Sequence, residues 1–163
     1  MKLALAFALV LGTLHAQNNL VTSTQRYFNS VRRNLEAAAD VMPAEKYSYK
    51  LTDGQMTFGE WLMHSAQRNY ADCAVLKSQT APTVAAFKTK DEVSKALKDS
   101  FAYCAAAVEH ADEPKILASP QMTNALLHIT IHNNDIYGNI VGYLRSSGIV
   151  PPSTAGRGAQ TKK

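Results

Sequence analysis

Apolar side chains recur every three or four residues along four stretches of this chain, and nowhere do they alternate with polar ones for long. That spacing gathers them on one side of an α-helix, whereas a half-buried strand would alternate. The first stretch runs from about Leu20 to Asp40, with Tyr27, Phe28, Val31, Leu35 and Ala38 as its apolar side. Met42-Pro43 closes it, because a residue before proline is pushed out of the helical region. The second opens at Thr57-Phe-Gly-Glu60, a capping box in which each side chain satisfies an orphan backbone donor. It continues through Trp61, His64, Tyr70 and Cys73 to about Lys77. The third covers roughly Lys90 to His110, with Val93, Leu97, Phe101, Cys104 and Val108 in helical register. The fourth starts at Ser119-Pro120, a cap followed by a first-position proline. It ends at Ser147, where Gly148 offers a left-handed stop and Pro151-Pro152 prevents resumption.

Four long helices predict an all-α protein, a four-helix bundle. The connections Met42–Met56 and Lys77–Lys90 are the longer ones and are able to roof one end of it. Trp61, Tyr70 and Phe101 read as core, and no internal repeat is present.

The ends change the picture. Lys2, the apolar run Leu3–Leu14 and the small Ala16 have the order of a secretory signal peptide. The run is short for a membrane span, which takes about 20 residues, although an uncleaved anchor is the alternative. Residues 1–16 are thus expected to be a signal peptide, residues 17–150 one domain, and residues 151–163 a disordered, small, basic tail. The protein is expected to be secreted or periplasmic, without stable membrane association. Without Lys2 the chain carries 16 basic and 13 acidic side chains, a net charge of +3, and Arg157, Lys162 and Lys163 of the tail account for it. The remainder is close to neutral and has no basic stripe, which argues against a nucleic-acid partner. The two cysteines, Cys73 and Cys104, suggest a disulfide in an oxidising compartment; two buried free thiols are the alternative.

Candidate chemistry is confined to histidines. His128 and His132 lie one helical turn apart in an apolar segment, and residues so spaced share a helix face. Two such imidazoles bind a metal ion when a third ligand arrives from elsewhere, and His64 on the second helix is the candidate. Against this, a lone histidine on an apolar face is commonly a hydrogen-bonded core residue. His110, at the end of the third helix, suits the helix dipole. Asn133, Asn134 and Asp135 are mildly unfavourable in mid-helix; they form either a solvated face or a group that lines a pocket or supports the imidazoles by outer hydrogen bonds. Gly138 and Gly142, four apart, predict close packing either against a neighbouring helix or against a second copy of the chain, the latter giving a homodimer. No nucleophile motif, phosphate loop, dinucleotide fingerprint or CxxC occurs, so any catalysis would run through metal.

Three stretches carry a family likeness. They are Met56-Thr-Phe-Gly-Glu-Trp-Leu-Met-His64, Cys73 together with Ser100-Phe-Ala-Tyr-Cys104, and His132-Asn-Asn-Asp-Ile-Tyr-Gly-Asn-Ile-Val-Gly-Tyr-Leu-Arg-Ser-Ser-Gly-Ile-Val-Pro-Pro152. With the helix spacing, they resemble the DinB family of four-helix bundles, in an exported branch, over nearly the whole chain after the leader. The resemblance implies a divalent metal (Zn, Ni or Mn) held by one histidine of the second helix and an HxxxH of the last. In this sequence those positions are His64, His132 and residue 136, and residue 136 is Ile136, which cannot bind metal. His128, one turn to the other side of His132, is the substitute third ligand, and Asp135 is a weaker one. The resemblance further implies a metal-dependent transferase or hydrolase acting on a small-molecule substrate through an activated thiol or water. The alternative is a non-catalytic bundle that has lost its metal and binds a small ligand or a protein partner.

Overall fold

In the computed structural model, residues 19–86 and 88–155 are described. They form six α-helices and no strand: α1 (Asn19–Val41), α2 (Phe58–Lys77), α3 (Lys90–Glu109), α4 (Glu113–Leu117), α5 (Pro120–Ser146) and α6 (Pro152–Ala155). The proposed signal peptide lies outside the described residues, and no described helix is long and apolar enough to cross a membrane.

The four long helices coincide with the four apolar stretches, and their boundaries follow local chemistry. Thr57 and Glu60 form the expected capping box, with Glu60 N–H donating to Thr57 Oγ1 at 3.1 Å and Thr57 N–H to Glu60 Oε2 at 2.6 Å. Thr89 and Glu92 make a second one at the start of α3. Ser119 caps α5 ahead of Pro120, and Gly148 takes the left-handed conformation at φ +73° just past its end. The end of α1 is capped from a distance, since Lys90 Nζ donates to the carbonyls of Asp40 and Met42 at 2.8 Å each.

α2 packs against α3 and α5, and α1 against α3 and α5, so each long helix has two long neighbours around one core. Phe28, Val31, Leu35 and Ala38 of α1 meet Leu97 and Phe101 of α3 and Leu126, Ile136 and Ile140 of α5 in that core. Phe101 is fully buried as expected, while Trp61 and Tyr70 are only half-buried. Tyr27 departs from the expected face. It is 61% exposed, because α1 buries the row through Phe28, Val31 and Leu35, and position 27 lies one step round the helix.

Cys73 and Cys104, both fully buried, form a disulfide that ties α2 to α3. Of the two long connections, the one from Met42 to Thr57 packs onto the core. Tyr47 is buried there, its hydroxyl donates to Ala39 O at 2.7 Å, and the Tyr143 hydroxyl donates to Met56 O. Leu51 from the same connection reaches Gly142: a Cβ at Gly142 would stand 3.1 Å from Leu51 Cδ1. The close approach expected at Gly142 is therefore made by a loop of the same chain. Gly138 has nothing within 4 Å of its Cβ position.

Two short helices were not legible in the sequence pattern. In α4, Asp112 caps the first turn and Glu113 is buried, with Oε2 accepting the Val21 N–H at 3.1 Å near the start of α1. In α6, Pro151 is buried and Ser153 N–H donates to the Tyr137 hydroxyl at 3.0 Å. The expected disordered tail is corrected for residues 151–155, which proline-initiated helix geometry and contact with α1 hold in place. The rest of that tail lies outside the described residues.

Candidate metal centre

α2 and α5 run antiparallel, and one set of pairings fixes their register. Tyr143 sits opposite Met56, Asn133 opposite Ser65 and Asn69, His132 opposite His64, and His128 opposite Asp72. His64 and His132 thus come from different helices to one point in the seam. Their Nε2 atoms are 3.0 Å apart, and their rings meet edge to face with centroids 5.0 Å apart.

Burial lowers the basicity of both rings. His64 is shifted down first by desolvation and then by the charges of Arg68 and His128. His132 is shifted down by desolvation, then by His128, His64 and Arg68, against a small opposing effect of Asp135. Both are therefore neutral at neutral pH, and one donates its Nε2–H to the lone pair of the other. A neutral imidazole in either role is a metal ligand once the donor ring carries its proton on Nδ1 instead, which frees both Nε2 lone pairs.

Two nitrogens about 2.1 Å from one ion stand ~3.0 Å apart at a right-angled N–metal–N geometry and ~3.4 Å apart at a tetrahedral one. The observed spacing fits two neighbouring ligands of a divalent ion. A third protein ligand does not join them. Among the described residues, no group of three or more His, Cys, Asp or Glu side chains is arranged to hold a metal ion. Ile136, one turn along α5 from His132, is completely buried in the core.

His128, the candidate third ligand, is placed otherwise. The antiparallel register puts it opposite a point two turns beyond His64 on α2, where its Nδ1 lies 2.6 Å from Asp72 Oδ2. Asp72 is only 6% exposed, and Arg68 Nη2 approaches its other oxygen at 3.4 Å. The His128 ring lies nearly parallel to that of His132, at 15° and 4.8 Å between centroids. The structure therefore brings His64 and His132 together and keeps His128 beside them, bound to a carboxylate. Asp72 and Arg68 were missed in the sequence. Their only signal was the i, i+4, i+8 spacing of His64, Arg68 and Asp72 on one face of α2.

Asn133 belongs to neither of the arrangements expected of it. It is 1% exposed, its Nδ2 donates to Asn69 Oδ1 at 2.7 Å and Ile129 O at 2.6 Å, and its Oδ1 accepts from Ser65 Oγ at 2.6 Å. Asn69 Nδ2 continues to Ser100 Oγ at 3.0 Å, so this polar layer joins α5, α2 and α3 beneath the histidines. Asn134 and Asp135 are exposed, as a solvated face would be. His110 occupies the C-cap of α3, where it is exposed.

One wall of an open cavity of about 460 Å³ is formed by His64, with Lys50, Gln55, Glu60, Met63 and Gln67 around it. His64 is the member of the pair that lines this cavity, and the walls offer both signs of charge. Comparison with protein-family models, curated proteins and solved structures returns no match for this chain.

Proposed function

We propose that this protein is an exported four-helix bundle of the DinB type that holds a divalent metal, Zn, Ni or Mn, at His64 and His132. It would act as a metal-dependent transferase or hydrolase on a small molecule entering by the cavity at His64. The observation that carries this reading is the 3.0 Å approach of two neutral Nε2 atoms from separate helices, with the spacing of two ligands to one ion. A bound ion there supplies Lewis acidity, which favours the deprotonated form of a thiol or water. The chain's own part is to present two preformed nitrogens and a cavity with polar walls, and to leave the other coordination positions to solvent or substrate. Export rests on the sequence of residues 1–16, and the buried disulfide is compatible with it.

A second reading is a non-catalytic bundle that has lost its metal and binds a small ligand or a protein partner. It is favoured by Ile136, whose full burial makes the position of the missing family ligand part of the apolar core.

Elemental analysis of the mature protein, purified without chelator or histidine tag, alongside His64→Ala, separates the two. About one equivalent of metal, lost in the variant, supports the metal centre. Metal-free protein that also rejects added Zn, Ni and Mn overturns it and leaves the second reading.

A further inference from the structure

His128 and Asp72 are left over from a two-histidine centre, yet they touch it in an unbroken chain. The buried Asp72 carboxylate can only accept at its Oδ2, so the 2.6 Å contact takes the proton of His128 Nδ1. That bond fixes the tautomer of His128 and the plane of its ring. The ring in turn lies flat against His132 at 15° and 4.8 Å, and His132 directs Nε2 at His64. Arg68, one turn from both His64 and Asp72 on α2, approaches the second carboxylate oxygen. No other polar side chain reaches the His132 ring by a hydrogen bond among the described residues, so its orientation depends on packing, and His128 is one face of that packing.

The geometry points to Asp72 as a positioning residue that acts through His128: it pins the His128 ring, and the pinned ring holds His132 with Nε2 facing His64. This assigns His128 to the support of the metal pair rather than to its ligands. It rests on the reading of His64 and His132 as the pair. Histidine tautomers are read without metal and metal uptake is read separately, so the two ideas fail separately.

The test is long-range ¹H–¹⁵N correlation spectroscopy of the histidine rings, on the natural protein, Asp72→Ala and Asp72→Asn, without metal and then with added Zn. In metal-free natural protein His128 should be protonated at Nδ1, and His64 and His132 should show one protonated and one bare Nε2. Asp72→Ala should release His128 into mixed tautomers and merge the two Nε2 environments. Asp72→Asn retains an acceptor oxygen and should preserve the pattern. A loss of fold in Asp72→Ala would show in the amide spectrum, and Asp72→Leu then replaces it as the acceptor-free variant.

With Zn, the Nε2 signals of His64 and His132 should move while His128 stays. Affinity should fall about 10–100-fold in the acceptor-free variant and stay within about threefold in Asp72→Asn. An unchanged His64–His132 pattern in the acceptor-free variant overturns the proposal, and so does movement of the His128 Nε2 signal with Zn, which would make His128 a ligand. A natural protein that shows the expected tautomers but takes up no Zn overturns the metal reading and leaves the positioning intact.

Discussion

Ile136 stands one turn from His132 on α5, completely buried, on the side of His132 away from His128. The antiparallel register carries His128 towards Asp72 and carries position 136 towards the start of α2, where the cavity at His64 opens. The two neighbours of His132 on its own helix are therefore not interchangeable as ligands.

Ile136→His should accordingly gain metal affinity, by about tenfold or more, because catalytic metal sites commonly use three protein ligands. It should also destabilise the metal-free protein by about 1–3 kcal/mol, since a polar ring would replace a branched aliphatic side chain in the core without an assured partner. Zn titration calorimetry and metal-free urea unfolding check both parts. No gain in affinity would dismiss position 136 as the absent ligand.

Acid should weaken the fold through the histidine pair. The folded pKa values of His64 and His132 lie below the ordinary histidine value, so the unfolded chain binds more protons as pH falls through about 6.5. Stability conferred by the neutral pair is present above that pH and lost below it. Tm measured between pH 8 and 5 should fall more steeply for the natural protein than for His132→Gln. Equal slopes would show that the pair does not contribute.

Asn133→Ala should cost about 2–3 kcal/mol, because it strands the buried Ser65 hydroxyl and the Asn69 carbonyl oxygen that it now satisfies. Urea denaturation reads this directly. A loss below about 0.5 kcal/mol would mean that water or a rotated Asn69 replaces the network.

The disulfide closes a loop between residues 31 apart in sequence, which is worth about 3–4 kcal/mol in the chain-entropy model. Cys73→Ala/Cys104→Ala should lose about that much in guanidinium unfolding. A reducing agent strong enough to open the bond should shift the natural protein towards the double variant.

Gly138→Ala should stabilise the protein by about 0.5–1 kcal/mol, since nothing lies within 4 Å of the new methyl group and alanine is the better helix former. At Gly142 the gain should be smaller, because the Leu51 tip must move from 3.1 Å. Light scattering of the two variants addresses self-association. A dimer in the natural protein that Gly138→Ala dissociates would place Gly138 in an interface.

The four long helices were legible because each carries its own signals: an apolar row at helical spacing, a Thr or Ser cap, and a glycine or proline stop. These are local, and the structure follows them within a residue or two at most ends. The short helices α4 and α6 were not, because four or five residues hold too little periodicity to be seen and both are kept in place by contacts with distant parts of the chain. The pairing of Cys73 with Cys104 followed from their being the only two cysteines, although nothing in their spacing required the bond.

For the candidate site, the sequence by itself determined which residue types were available: three histidines on two amphipathic helices, and an isoleucine where a ligand was expected. It also determined that His128 and His132 share a face. Tertiary structure alone decided which of them meets His64. That choice depends on the antiparallel register of α2 on α5, which is set by the buried Ser65–Asn133–Asn69 layer and the Tyr143–Met56 contact. A shift of one helical turn would exchange His132 for His128 opposite His64, and helical periodicity is blind to such a shift because both registers bury the same faces.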